Sequence, residues 1–366
     1  MHLKFVIFSG LVILMFAVST EARSIWLKGE FHEEMSLDSM YCAQASKAKP
    51  VTCNNRPKSW RKGIDLTSIN IGTLSQEQLI KAVRFPDDPV KELSLTNPIG
   101  LIRWSWNMGI VGCKNKVNGL VQGLRCSSHY GPFQFLHAMS SENDIQAQET
   151  KAKIMAWIEY LTLIIENKNN FMTSNYCKHW TTEQEKQNPI AQFMIPEGEN
   201  GFPCKLDSGA PWTISTPFAF HCKFKIVTCD VNLTERNIKS NAIGALLHVI
   251  QDSYTQGHAI RGDCCSDKSK VDIAKYQCLP IEQFNSYQNQ NKDKHADADG
   301  QPSPGISCKS NHNQHDPITA GATILWKIKH EKNNLPISIS NYLDANVFKL
   351  IDPKALSSAG KGFQKT

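Results

Sequence analysis

Hydrophobic residues recur along this 366-residue chain at the three- and four-residue spacing of amphipathic helices. The clearest case is 144–167, where isoleucine, leucine and tryptophan side chains share one helix face. Asp316 as N-cap and Pro317 at the first helical position give another segment a favourable start. The pattern predicts helices at 75–83, 144–167, 236–256, 317–330 and 342–351.

Three long polar segments lie between and around these helices, and they are rich in Pro, Gly, Asn and Cys. Twelve cysteines, none in a Cys-x-x-Cys pair, favour disulfides over cysteine zinc sites or thioredoxin-like chemistry. The sequence contains neither an internal repeat nor a clear domain linker. We therefore predict an all-α protein, a compact helical bundle core with long disulfide-tied loops at 42–65, 168–229 and 262–314.

The N-terminus has the three parts of a secretory signal: Lys4, an apolar run over 5–18, and small residues ending at Ala22. The run is shorter than the roughly 20 residues that a membrane-spanning helix needs. We expect residues 1–22 to be removed and residues 23–366 to form a single domain, secreted to an extracellular or periplasmic location. The net charge of +6 is mild; it suits an anionic membrane surface but does not by itself indicate a nucleic-acid partner.

The helix at 236–256 carries the most informative polar face of the chain. His248 and Asp252 are one turn apart on it, and Gly257 offers a C-terminal stop that turns His258 back toward them. Between 241 and 260 there is no Lys, Arg or Glu, and Asp252 is the only charge. A face in contact with solvent usually recruits long charged side chains, so this face favours an internal cavity. Imidazoles and a carboxylate that converge are ligands that zinc prefers.

A bound zinc ion needs three or four ligands, so further ones are expected elsewhere in the chain. An isolated histidine is more often a hydrogen-bonding core or surface residue than a ligand, so each further candidate is weak when taken alone. A His and an Asp four residues apart, a Ser-His-Tyr step and an Asp-Asp pair are the patterns that stand out. The additional candidates are His32, Asp87, Asp88, His129, His295 and Asp299.

The spacing of His248, Asp252 and His258, with Ala259 following, resembles the zinc-dependent phospholipase C family and the fungal single-strand nucleases of the same superfamily. The resemblance implies that His248 and Asp252 bind one zinc ion and that His258 begins a second site. It also implies that a later His-x-x-x-acid pair completes the second site. That pair is 295–299 in this chain, with Asp where the phospholipases carry Glu.

The same resemblance implies further ligands upstream. It assigns His129 and His32 to the zinc ligands, and Asp88 or Asp87 to a role as ligand and probable base. The phospholipases also use the amino group of an N-terminal Trp, whereas Trp26 would be internal after the expected cleavage. The segment between the second and third histidine of the pattern is also longer here. The resemblance therefore implies two or three zinc ions.

Such a set of ligands indicates hydrolysis of a phosphodiester. The resemblance implies a secreted, monomeric phospholipase C that hydrolyses phosphatidylcholine-type lipids at a membrane surface to diacylglycerol and a phosphorylated head group. A zinc-dependent single-strand nuclease is the alternative, but the scattered lysines do not predict the basic groove that such an enzyme needs. A secreted metal-binding protein without catalysis is the third interpretation.

Overall fold

The computed structural model describes residues 31–47, 51, 53, 70–71, 74–88, 128–129, 131–182, 184–194, 209–218, 220–223, 228–231, 234–263, 277–299, 316–331 and 333–365. Helices dominate this part of the chain, as the hydrophobic pattern predicts. The α-helices are α1 Phe31–Ala45, α2 Gln76–Val83, α3 Ala147–Glu166, α4 Tyr176–Trp180, α5 Ala191–Met194, α6 Glu235–Asp252, α7 Lys292–Asp299, α8 Pro317–His330 and α9 Leu335–Asn346. Short 3-10 helices lie at Gln134–His137, Lys168–Thr173, Glu185–Gln187 and Thr216–Phe218.

The described strands form two-stranded antiparallel ribbons. They pair β1 Asn70–Ile71 with β2 Leu74–Ser75, β3 Phe220–Lys223 with β4 Thr228–Val231, and β5 Ala259–Asp263 with β6 Gln277–Phe284. The β5–β6 ribbon is the one that bears on the candidate site, because β5 begins directly after His258 and its first residue lies opposite Phe284.

Helix α6 is central to the packing, with every residue from Ser240 to Asp252 buried. Helices α2, α3 and α8 pack around it, and one hydrophobic core extends from Met35 to Phe348. Gly244 permits the closest of these approaches, since a Cβ atom there would overlap the backbone of Ala82. Because α6 is enclosed on all sides, its polar face is internal, as the lack of long charged residues predicts.

The ends of several helices follow local sequence signals. Ser75 caps α2 with a capping box, in which its hydroxyl accepts from the Gln78 amide while the Gln78 side chain accepts from the Ser75 amide. Asp316 caps α8 by accepting hydrogen bonds from the amides of Ile318 and Thr319. These two helices begin where the sequence predicts.

Other boundaries differ from the prediction. Helix α6 ends at Asp252 with Ser253 as a right-handed C-cap, so Gly257 is not the helix stop. Helix α9 covers Leu335–Asn346 rather than 342–351. Helix α1 was not predicted because its small buried polar residues, such as Ser36 and Ser39, weaken the contrast between its faces.

Segment 262–314, predicted as a loop, contains β6 and α7. Helix α7 is short and mostly charged, so it has almost no hydrophobic periodicity to detect. Its position depends on the C-terminal segment instead: the Asn291 amide donates to the Phe363 carbonyl at 2.6 Å, and Lys294 Nζ donates to the Gly362 carbonyl at 2.9 Å.

Disulfide bonds are present in the described part of the chain. Cys42 pairs with Cys53, and Cys177 is also disulfide-bonded. The expected signal at 1–22, Trp26 and most of segment 42–65 lie outside the described residues. None of the described helices combines the length and apolar character needed to cross a bilayer.

Candidate metal centre

Two groups of histidine and aspartate side chains lie next to each other at the C-terminal end of α6. We call Asp87, His137, His248 and Asp252 the inner cluster. We call His258, His295 and Asp299 the outer cluster.

Separate elements bring the inner cluster together. His248 and Asp252 project from one face of α6, Asp87 lies in the turn that follows α2, and His137 is the last residue of the 3-10 helix that begins at Gln134. An ion pair between Arg84 and Glu33 links this turn to α1. The side chains of His137, His248 and Asp252 are at most 2% exposed, and that of Asp87 is 16% exposed.

The spacing of His137, His248 and Asp252 fits three ligands of one tetrahedral ion, with Asp87 beside them. His248 Nε2, His137 Nδ1 and Asp252 Oδ2 are 3.0 to 3.1 Å from one another. Asp87 Oδ1 is 3.7 Å from His248 Nε2 and 3.8 Å from His137 Nδ1. Zinc bonds of about 2.0–2.1 Å to nitrogen and oxygen place tetrahedral ligands about 3.3 Å apart, a value that lies between these distances.

Two further histidines flank the inner cluster on different sides. His32, in the first turn of α1, places Nε2 3.3 Å from Asp252 Oδ1 and stacks on His248 with ring centroids 4.2 Å apart. His129 places Nε2 3.7 Å from Asp87 Oδ1. Asp252 therefore presents one oxygen to the inner cluster and the other to His32.

The outer cluster combines the end of a turn with one face of α7. His258 Nε2 is 3.0 Å from Asp299 Oδ1, and His295 Nε2 is 3.0 Å from Asp299 Oδ2. The two imidazoles stack with centroids 4.9 Å apart. Gly257 makes room for this arrangement, because a Cβ atom there would lie 2.9 Å from His295 Nδ1.

Backbone carbonyls orient the imidazoles in both clusters. His248 Nδ1 donates to the Val83 carbonyl at 2.8 Å, and His258 Nδ1 donates to the His137 carbonyl at 2.6 Å. Each bond fixes the ring and leaves Nε2 directed at the cluster, which is how ligand histidines are usually held. The hydrogen bond to the His137 carbonyl also links the two clusters.

Several buried polar atoms of the clusters have no hydrogen-bond partner among the described residues. They are His137 Nε2, His258 Nε2, His295 Nδ1, His295 Nε2 and Asp299 Oδ1. His258 Nε2 and Asp299 Oδ1 lie 3.0 Å apart. Buried polar groups normally find partners, so His258 Nε2, His295 Nε2 and Asp299 Oδ1, which converge in the outer cluster, fit an ion placed between them.

The charges of the clusters are strongly coupled. Burial opposes protonation of His248, but Asp252 and Asp87 outweigh it and raise its pKa to about 9. At His258, burial also opposes protonation, but Asp252 and Asp299 outweigh it and raise the pKa to about 10. Burial lowers the pKa of His137 to about 4. Without metal, protons on His248 and His258 therefore balance the buried carboxylates at neutral pH.

All the histidines predicted as ligands take part in these groups. His248, Asp252, His258, His295 and Asp299 lie in the two clusters, and His32 and His129 lie beside the inner cluster. Of the two aspartates that the sequence does not distinguish, Asp87 faces the histidines. Asp88 is buried but belongs to none of the clusters of the described residues.

His137 is the residue that the sequence analysis missed. It is 2% exposed, and its Nδ1 lies 3.1 Å from His248 Nε2 and 3.0 Å from Asp252 Oδ2. The Ser-His-Tyr step indicates His129 as the ligand instead. A usable signal was present, because His137 lies between Leu136 and Ala138, and a histidine in an apolar run needs a buried partner.

No protein-family model, curated protein or solved structure matches this chain. The interpretation of the site therefore depends on the chain's own residues. Four groups of imidazoles and carboxylates, three of which overlap in and around the inner cluster, could each hold a metal ion.

Proposed function

We propose that this protein is a zinc-dependent phosphodiester hydrolase of the phospholipase C type. One observation carries the proposal. Imidazole and carboxylate atoms from distant parts of the chain converge, buried, at the mutual distances of tetrahedral metal ligands. The outer cluster differs from a hydrogen-bonded core, because His258 Nε2, His295 Nε2 and Asp299 Oδ1 converge there without hydrogen-bond partners among the described residues.

The donor atoms favour zinc over other common ions. Calcium and magnesium prefer sites made of oxygen atoms, whereas each cluster here combines two histidines with carboxylates. Such nitrogen and oxygen sets of three or four ligands are typical of zinc. We infer three ions, one in each cluster and one beside His32, where Asp252 presents its second oxygen and where Asp87 and His248 also lie.

Bound zinc ions lower the pKa of water and neutralise charge on phosphoryl oxygens. The chain's own contribution includes Asp87, the most accessible carboxylate of the inner cluster. Burial opposes its ionisation, yet His248, His129 and His137 hold its pKa well below the usual range. It therefore stays ionised at neutral pH and accepts a hydrogen bond that orients the attacking water.

The proposed reaction is hydrolysis of a phospholipid. A bond forms between the water oxygen and phosphorus, and the bond between phosphorus and the glycerol oxygen breaks. The glycerol oxygen takes up a proton, so the products are diacylglycerol and the phosphorylated head group. The mild positive charge of the chain suits a phospholipid surface.

Metal content and product release test this proposal together. We expect purified protein to contain zinc by elemental analysis and to release water-soluble phosphate ester from phospholipid, with both lost after chelation and restored by zinc. Asp252→Asn and His248→Ala should each abolish turnover. His330→Ala is the matched control, because His330 is exposed and stacks on Trp326 away from the clusters.

The outcomes distinguish the alternatives. Cleavage of single-stranded DNA without release from phospholipid would assign the nuclease activity. Zinc content without either activity would favour the non-catalytic metal-binding role. Hydrolysis that survives complete removal of metal would contradict the proposal.

A further inference from the structure

A cavity of about 490 Å³ is lined in part by Tyr287, whose ring packs against His295 of the outer cluster. Its walls include Gln134, Lys153, Phe193 and Tyr287, with Glu142 among the other lining residues. The volume is within the range of about 300–1,000 Å³ that is usual for small-molecule sites.

Two of these walls also belong to the surroundings of the clusters. The Tyr287 ring lies 4.4 Å from the His295 ring and 6.4 Å from the His258 ring. The Tyr287 amide donates to Gln134 Oε1 at 3.2 Å, and Gln134 begins the 3-10 helix that ends at His137. Tyr287 and Gln134 therefore connect the wall of this cavity to the elements that carry the clusters.

Lys153 gives the cavity a positive charge. It projects from α3, it is half-buried, and its Nζ lies 5.1 Å from the centroid of the Phe193 ring. No carboxylate oxygen of a described residue is within 4.0 Å of this ammonium group. The neighbouring Lys151, in contrast, pairs with Asp344 at 2.7 Å. Burial lowers the pKa of Lys153, although Glu149 and Glu142 oppose the effect.

A half-buried ammonium group without an ion pair binds an anion more strongly than a fully hydrated one, because water screens the attraction less. Glu142 does not take this role, since its side chain is exposed and it lies beyond ion-pair distance. The ring of Phe193 keeps the ammonium group in place without neutralising its charge.

We propose that this cavity receives the head group of an acidic phospholipid, and that the Lys153 ammonium binds the additional negative charge of that head group. The inference rests on the proposed function for the scissile phosphate but concerns a different part of the substrate. A head group with one carboxylate beyond its phosphate, such as serine, has the required chemistry. An oligonucleotide is less suitable, because Lys153 is the only cationic side chain among the lining residues and single-stranded nucleic acid needs a groove of several.

Two lipids that differ by a single carboxylate test this proposal. Short-chain phosphatidylserine and phosphatidylethanolamine are presented as monomers to the zinc-loaded full chain. We expect a higher kcat/KM for phosphatidylserine. Lys153→Met, which keeps the length of the side chain, should lower the ratio of kcat/KM for phosphatidylserine to that for phosphatidylethanolamine about tenfold.

Two variants serve as controls. Lys153→Arg keeps the charge and should retain most of the preference for phosphatidylserine. Lys151→Met removes a charge from the same helix outside the cavity and should leave the preference intact. An equal effect of Lys153→Met on both lipids, or none on either, would overturn the proposal.

A binding measurement separates this proposal from the proposed function. O-phosphoserine and O-phosphoethanolamine are titrated calorimetrically into the wild-type protein and into Lys153→Met. We expect O-phosphoserine to bind about tenfold more tightly to the wild type, with the difference lost in the variant. Equal affinities in the wild type would reject the cavity as an acidic head-group site, whether or not the protein hydrolyses lipid. A preserved difference without hydrolysis would reject only the catalytic role.

Discussion

His137 belongs to both clusters through different parts of the same residue. Its imidazole contacts His248 and Asp252 in the inner cluster, while its carbonyl accepts a hydrogen bond from His258 in the outer cluster. The ring and the backbone of His137 therefore have separable effects. A substitution of the side chain removes a ligand but keeps the carbonyl that orients His258.

We expect His137→Ala to release the inner ion and to retain the outer one. The protein should lose about one zinc equivalent and all turnover, because one of the tetrahedral ligands is missing. Elemental analysis and the lipid assay measure the two effects. His129→Ala is the informative comparison, since His129 flanks the inner cluster, with Nε2 3.7 Å from Asp87 Oδ1 and its ring centroid 4.9 Å from that of His137. Unchanged zinc content in His137→Ala would contradict its assignment as a ligand.

Gln251 acts on the metal centre through His32. Its side-chain oxygen accepts from His32 Nδ1 at 2.9 Å, and its amide nitrogen donates to Ser36 Oγ at 2.9 Å. The pair of bonds turns His32 Nε2 toward Asp252. Gln251 is 1% exposed, so solvent does not replace either bond when the amide is removed.

We predict that Gln251→Leu lowers the affinity for the zinc ion beside His32 by roughly 10–100-fold, which is the usual effect of losing a group that orients a ligand. Competition with a fluorescent chelator measures the affinity. Gln251→Glu should restore much of it, because a carboxylate oxygen still accepts from His32. Equal loss in both variants would indicate a general packing defect.

The turn between α6 and β5 is the element that joins the clusters. Residues 253–257 reverse the chain so that His258 faces the end of the helix that carries Asp252. Arg261 holds this turn in place: its Nε donates to the Ser253 carbonyl and its Nη2 to the Val347 carbonyl, each at 2.7 Å. The turn, more than the end of the helix, determines the position of His258 in the outer cluster.

Alanine substitutions at two glycines of this region should have different effects, one on zinc binding and the other on stability. At Gly257 a Cβ atom would press on His295, so Gly257→Ala should remove the outer zinc ion and leave the fold nearly intact. At Gly244 a Cβ atom would overlap the backbone of α2, so Gly244→Ala should lower the free energy of unfolding by about 3 kcal/mol. Chemical denaturation of the metal-free proteins, together with zinc analysis, distinguishes the two. A strongly destabilised Gly257→Ala variant would contradict the first expectation.

At the scale of the whole molecule, metal and protons compete for the same buried charge. The metal-free protein places Asp87, Asp252 and Asp299 in the clusters, and protonated His248 and His258 compensate them. Zinc requires the neutral imidazoles, so binding must displace these protons.

We predict that zinc binding near pH 7.5 releases about two protons, one each from His248 and His258. Calorimetry in buffers of different ionisation enthalpy measures the number. Affinity should rise with pH up to the range of about 9 to 10, where both groups lose their protons without metal. Binding without proton release would contradict the coupling between the imidazoles and the buried carboxylates.

The free energy of unfolding of the metal-free protein should fall as the pH rises, whereas the affinity for zinc should increase. The pKa values of His248 and His258 are raised above the unfolded value of about 6.5. Their stabilising contribution is therefore complete below about pH 6.5 and is lost as the pH rises through 9 to 10. Urea denaturation of the chelated protein at a series of pH values tests this. His248→Gln should reduce the slope between pH 7 and 9, because one of the two titrating groups is gone.

The sequence by itself determined the elements whose signals are local. The periodicity of 144–167, the capping residues Ser75 and Asp316, and the uncharged polar face around His248 each depend on a few neighbouring residues, so they could be interpreted without the fold. The spacing of ligands within one helix is fixed for the same reason.

Only the tertiary structure decided which residues meet across the chain. It selected Asp87 over Asp88, brought in His137, and placed the predicted loop residues His295 and Asp299 on α7. Contacts between residues far apart in sequence follow from how helices pack and how turns reverse, and no local pattern encodes them. The cavity beside the outer cluster likewise exists only because α3, Phe193 and Tyr287 come together in the folded chain.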